Sequence, residues 1–133
     1  MDCIFCKIIK GEISSYKIYE DEYTFAFLDI NPVCDGHTLV IPKNHCTNIL
    51  DADSKTISHV MDTVKLISNH YVNDCGFAGV NVMNANNEAA EQSVFHLHMH
   101  IIPRRANNKD HMFPASVAKE SPANMHKILK IGE

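Results

Sequence analysis

The stretch Gln92 to Arg104, QSVFHLHMHIIPR, limits the possible folds of this chain more than any other. His96, His98 and His100 recur at every second position and Phe95, Leu97, Met99, Ile101 and Ile102 fill the rest, which is the period of a β-strand and not of a helix. Successive side chains of a strand point to opposite faces, so the imidazoles are expected on one side and the apolar set in a core on the other. Alternate residues of a strand sit roughly 6.6 to 7 Å apart while Zn–N bonds are about 2.0–2.1 Å, so at most two neighbouring histidines can share an ion. An unpaired buried imidazole costs free energy, and three on one face point to chemistry more than to three separately satisfied rings.

A chain of 133 residues suits a single domain (1–133) with a real core. The formal charge of −4 argues against binding a nucleic acid polymer through a basic surface. The N-terminus MDCIFCKIIKGE carries acids and lacks the run of a secretory signal, and no apolar stretch reaches about 18 residues. The expectation is a cytoplasmic protein without a membrane span. Its five cysteines, an odd number, are then thiols or metal ligands and not a disulfide framework.

Phe5 to Lys10 reads as one or two helical turns ended by Gly11. Lys17 to Glu20, the turn Asp21-Glu22 and Tyr23 to Leu28 form a predicted hairpin, and His37 to Pro42 a third strand. Ile57, Val60, Met61, Val64, Ile67 and Tyr71 keep helical spacing, with Asp53 or Ser54 as cap and Asn73 to Gly76 as stop. Gly79 to Asn84 is a further strand, Ala106 to Met112 a loop, and Ser121-Pro122 opens a helix over Met125 to Ile131. This order predicts an α+β fold, a mainly antiparallel sheet of about five strands with helices on one side. Such a sheet has edges that a second copy can extend, so a two-fold homodimer is expected.

His-Leu-His-Met-His-Ile-Ile has the form His-φ-His-φ-His-φ-φ and resembles the signature of the histidine-triad (HIT) nucleotide hydrolases and transferases. The likeness extends to CIFCKIIKGEI (Cys3 to Ile13), YEDEYTFAFLDINP (Tyr19 to Pro32) and GHTLVIPKNH (Gly36 to His45), covering residues 1–105 and leaving 106–133 as a variable tail. Within the family the chain looks like the small purine-nucleoside phosphoramidases. The resemblance implies a HIT-like fold in which His98 attacks the α-phosphorus of an AMP or GMP derivative, forming a nucleotidyl-histidine that water hydrolyses. It places His100 at the leaving group, and Ser93, Gln92 and Asn84 as donors to the phosphate, with Asn86 competing for the asparagine's place. It further implies that Asp29 accepts from the ribose, that Phe5, Ile8, Ile13 and Ile30 enclose the base, and that His37 buttresses the triad. No Mg²⁺ is needed. An imidazole suits the nucleophile's task because its reference pKa near 6.5 leaves much of it neutral near pH 7, and a backbone carbonyl of its own strand is expected to hold the second nitrogen.

Cys3-x-x-Cys6 alone reads as a thiol pair, a redox motif or half a metal site. Part of the family binds zinc through such a pair, so a closed structural site from Cys3, Cys6, His45 and His96 is implied, with Cys46 as a rival ligand. Where the family usually has loop glycines this chain has Asn87 and Glu91, which predicts slower turnover that Glu91→Gly would relieve. Competing readings are a diadenosine polyphosphate hydrolase or nucleotidyl transferase, a metal-dependent hydrolase using a His-x-His pair, and a non-catalytic nucleotide-binding protein.

Overall fold

The structure, a computed structural model, describes residues 2–107 and 118–131. Five strands, β1 (Lys17–Glu20), β2 (Thr24–Leu28), β3 (Thr38–Pro42), β4 (Gly79–Met83) and β5 (Met99–Arg104), form one sheet in the order β1-β2-β3-β5-β4. All neighbours pair antiparallel. Helices α1 (Ile4–Ile9), α2 (Ser54–Asn73) and α3 (Pro122–Leu129) complete the fold. The C-terminal half of the loop expected over Ala106 to Met112 lies outside the described residues.

Side-chain alternation divides the sheet between two cores. Ala26, Val40 and Ile101 pack with Val60, Val64, Ile67 and Tyr71 of α2, while Phe25, Phe27, Leu39 and Ile41 pack on the opposite face with Cys3, Phe5 and Ile8 of the N-terminal turn. Helices therefore cover both faces, which corrects the one-sided arrangement expected. A six-residue helix is too short to show its periodicity, so nothing in the sequence said which face α1 would take. The buried Ile and Val side chains contribute about 1.5–3 kcal/mol each from loss of apolar surface. Two buried hydroxyl pairs, Thr24 with Thr63 and Thr38 with Tyr71, both at 2.7 Å, tie α2 to the sheet. Asp53 caps α2 by accepting from the Thr56 N–H at 2.7 Å. Of the apolar face expected on α2, Met61 proves 41% exposed.

The histidine stretch is only partly strand. Ladder pairing begins at Met99, so His96, at the end of a bend, and His98 lie just before β5 instead of within it. The two-residue alternation persists regardless. Met99 and Ile101 pack on the α2 side, and the His96 and His98 rings both meet Phe5 edge-on from the other face.

The polar loop between β4 and the histidines holds the two non-glycine residues with positive φ among the described residues, Asn87 (φ 74°, ψ 161°) and Glu91 (φ 68°, ψ 30°). Those are the two positions at which glycine was expected. The Glu91 conformation is left-handed, where an ordinary side chain meets the following carbonyl at a cost of roughly 1–2 kcal/mol. Its side chain is exposed, so no inward charge opposes an anion, and the expected gain in kcat/KM on replacing it loses its basis. What remains is strain. Glu91→Gly should raise stability by about 1 kcal/mol, read as a higher urea midpoint at unchanged m-value; an unchanged or lower midpoint would refute it.

Candidate functional site

Three imidazoles and a carboxylate meet at one end of a cavity of about 640 Å³ between the N-terminal turn and the sheet. Their protonation follows from obligate donors and acceptors around them. The carbonyl of His96 can only accept, so the His98 Nδ1 that lies 2.8 Å from it carries the proton. The Nε2 of His98 keeps its lone pair. The Val33 N–H can only donate, and it donates to His37 Nδ1 at 3.2 Å. His37 Nε2 therefore bears hydrogen and donates to His100 Nδ1 at 2.9 Å, which leaves His100 protonated at Nε2. One ring thus offers a nucleophilic lone pair and its neighbour, 5.0 Å away between centroids, offers an N–H.

Burial holds all these rings in the neutral state. It lowers the proton affinity of His37 and His98, and takes His100 down to about 4, with the neighbouring His98 and His37 adding to the effect. Asp29 lies 3.7 Å from His37 Nε2 and accepts the Asn31 N–H at 2.9 Å. Phe5 sets the nucleophile's ring in place by an edge contact at 5.2 Å. Gly36 takes φ +83° in the turn that presents His37, and an added Cβ would meet Pro103 at 3.2 Å.

Of the residues expected here, Phe5, Ile8, Ile13, Asp29, Ile30, His37, Ser93, His98 and His100 line the cavity. Gln92 and Asn84 do not. Both Gln92 amide hydrogens are committed, to the carbonyls of Thr47 (2.7 Å) and Val94 (3.0 Å), and its oxygen accepts from Asn48 and the Asn87 N–H. Gln92 braces the loop and has no donor left for phosphate. Asn84 donates to the His98 carbonyl at 2.9 Å and accepts from Asn86, so it supports the nucleophile's backbone. Sequence reasoning missed Asn48, whose buried amide joins Asn87 to Gln92 across the loop, and the Val33 N–H. A main-chain donor leaves no mark on residue type.

A second cluster lies behind His96. Cys3 Sγ is 3.3 Å and Cys6 Sγ 3.5 Å from His96 Nδ1, His45 Nδ1 is 3.1 Å from the same atom, and Cys6 Sγ is 3.3 Å from His45 Nδ1. Tetrahedral zinc with Zn–S about 2.3 Å and Zn–N about 2.0–2.1 Å requires ligand separations of roughly 3.3–3.8 Å. The three sulfur–nitrogen separations fall in that range and the two ring nitrogens stand slightly closer, a spacing that small ring movements would adapt to a metal ion. His96 Nε2 donates to the Pro42 carbonyl at 2.8 Å, which turns the Nδ1 lone pair toward the two sulfurs and fixes the tautomer a metal ligand needs. Cys46 is outside the group, and burial with Asp51 and Asp53 nearby pushes its thiol up to about 11. Asp29, His37 and His100 also have metal-like spacing. There the Val33 N–H already occupies His37 Nδ1, so a metal at Nε2 would demand a fully deprotonated ring.

Comparison with known proteins agrees with this geometry. The HIT domain family matches residues 10–107. An uncharacterized HIT-like protein of Borreliella burgdorferi is 50% identical over 109 residues, spanning 80% of this chain and 78% of its own. The adenosine 5'-monophosphoramidase HNT1 of Saccharomyces cerevisiae is 42% identical over 103 residues (77% and 63% of the two chains). The adenylylsulfatase HINT3 of Arabidopsis thaliana is 42% identical over 104 residues (78% and 53%). Among solved structures, a HIT family member from Bacillus subtilis superposes with TM-score 0.82 at 41% identity over 96% of this chain and 92% of that one. A zinc-bound histidine triad protein from Mycobacterium smegmatis gives TM-score 0.78 at 37% identity over 82% and 79%. With the fold, the triad and these matches in agreement, the chain belongs to the histidine-triad (HIT) family.

Proposed function

We propose that this protein is a nucleotide hydrolase that cleaves purine nucleoside phosphoramidates, with AMP or GMP as the nucleotide part, through a nucleotidyl-His98 intermediate. The observation that carries this reading is the 2.8 Å hydrogen bond from His98 Nδ1 to the His96 carbonyl, which leaves Nε2 as a neutral nucleophile at the cavity. Relatives named for phosphoramidase and adenylylsulfatase activity support it.

His98 Nε2 forms a bond to phosphorus as the P–N bond breaks, and the bonding pair stays on the departing nitrogen. That nitrogen takes up a proton. With its basicity lowered to about 4, His100 is almost wholly neutral at pH 7, so it serves as a hydrogen-bond donor to the phosphoryl oxygens and not as the proton source. Solvent supplies that proton and is left as hydroxide, which the proton released in the next step neutralises; Ser93 presents an exposed hydroxyl on the cavity wall. Water next attacks the phosphorus, releasing the nucleoside monophosphate and restoring His98. Asp29, with acceptor capacity left beside its bond from Asn31, takes the ribose hydroxyls. The base sits among Phe5, Ile8, Ile13 and Ile30.

Zinc is our assignment for the Cys3, Cys6, His45 and His96 cluster. Bound there, it contributes folding energy and pins the N-terminal turn, which carries Phe5, to the nucleophile's segment. Thiols kept free for a metal support the cytoplasm, a reducing compartment, as its location. Among the described residues no helix is long and apolar enough to cross a membrane. For the homodimer we favour the β4 edge, because Val82 (43%) and Met83 (42%) are exposed there whereas β1 is guarded by Lys17 and Glu20.

Rapid quench of the enzyme with adenosine phosphoramidate should show an adduct of one nucleotidyl mass, absent in His98→Ala, whose turnover should fall by at least about 10³-fold. Equal turnover in that variant would overturn the mechanism. The neutral rings are the active forms, and burial carries their protonation below the ordinary value of about 6.5. The acid limb of the activity profile should therefore lie below 6.5, with activity lost as pH falls through it; a limb centred at 6.5 or above would contradict this. Elemental analysis should find close to one zinc per chain, lost in a Cys3→Ala, Cys6→Ala variant, and Val82→Asp should shift the sedimenting species to monomer.

A further inference from the structure

The turn that ends α2 carries three side chains that the nucleotide site does not use, and they lie in a row. Asp74 Oδ2 stands 2.8 Å from His70 Nδ1, and Cys75 Sγ stands 3.5 Å from His70 Nε2. An ionised carboxylate can only accept, so Nδ1 carries the hydrogen and Nε2 turns its lone pair to the thiol, whose S–H donates to it. Main-chain bonds set this arrangement, because the Asp74 and Cys75 N–H groups both donate to the His70 carbonyl, at 2.9 and 3.2 Å. Gly76 then turns the chain with φ +83°, and a Cβ added there would meet no atom within 4 Å, so the space next to the thiol is open.

The other cysteines are differently placed. Cys3 and Cys6 belong to the metal cluster. Cys34 directs its S–H at the Pro103 carbonyl, 3.5 Å away, which cannot take the proton, and burial raises its thiol. Burial with Asp51 and Asp53 nearby takes Cys46 up to about 11. Cys75 alone of the five is exposed, and it has a base at its sulfur. The row is not built as a metal site, whose ligands converge on one point. Here the ring lies between its two partners with one nitrogen to each, and among the described residues metal-like spacings occur elsewhere.

We propose that Cys75 is a reactive thiol, activated by His70 with Asp74 orienting the ring, that undergoes exchange with low-molecular-weight disulfides. The site is separate from the nucleotide cavity and does not rest on the hydrolase reading. In such exchange the thiolate and not the thiol is the nucleophile. The Cys75 proton passes to His70 Nε2, and the sulfur's electron pair forms a bond to one sulfur of the disulfide. The S–S bond of the reagent breaks, its pair leaves on the second sulfur, and the proton on His70 follows. Cys75 is oxidised to a mixed disulfide, the departing half of the reagent is reduced to a free thiol, and the ring returns to neutral.

The test mixes the full chain, purified without chelator, with excess glutathione disulfide and follows the reaction by intact mass and peptide mapping. Wild type should take up one glutathionyl group, at Cys75, before any other cysteine reacts, and should lose it on addition of dithiothreitol. His70→Asn should react about tenfold more slowly and Asp74→Asn several-fold more slowly. The second variant keeps both ring and thiol, so it decides the matter should the first fail to fold. In denaturing urea, where the row no longer exists, all three proteins should react at one rate. First reaction at another cysteine, native variants as fast as wild type, or a difference in rate that persists in urea would each overturn the assignment.

Discussion

The hydrogen bond from His98 Nδ1 to the His96 carbonyl is the constraint around which the site is arranged. It exists because the residue two before the nucleophile contributes its carbonyl to the side on which the nucleophile's own ring lies. Two neighbours hold that carbonyl in place. Behind it, the His96 ring is bound to Pro42 on one nitrogen and faces the cysteine pair with the other. Ahead of it, Asn84 fixes the His98 carbonyl and so the next peptide. A nucleophile oriented by its own main chain needs no carboxylate partner on its second nitrogen, which leaves Asp29 free for another task.

The N-terminal turn links metal cluster and catalysis through Phe5. Its ring touches His96, His98 and Phe27, so one side chain between Cys3 and Cys6 bears on the metal-facing imidazole, the nucleophile and the sheet together. Anything that loosens the cysteine pair therefore reaches His98 by packing. Short helices of this kind have little stability of their own, and α1 depends on the apolar cluster it completes.

Much of this was legible in the sequence because the information sat in side-chain periodicity. The alternation of His96, His98 and His100 told correctly that the rings share a side, and the spacing from Val60 to Tyr71 told the buried face of α2. The ends of elements were less legible, since side-chain alternation in sequence does not say where ladder pairing starts, and β5 starts only at Met99. The nine cavity residues named from the motifs came together, while Gln92 and Asn84 proved to be braces. An amide's destination depends on which carbonyls the fold brings near it, and residue type carries no trace of that. The positive φ at Asn87 and Glu91 was foreshadowed by the glycines usual at those places, though what it costs this chain is strain and not misplaced charge.

The relay from Val33 through His37 to His100 begins at a peptide N–H. Side-chain replacements at position 33 leave that amide intact, so the polarity of the whole row of rings is insulated from ordinary point mutation. Proline alone among the natural amino acids would delete it and free the row to reverse. The direction in which hydrogens point at the phosphate is thus inherited from chain path, a property that drifts far more slowly than residue identity.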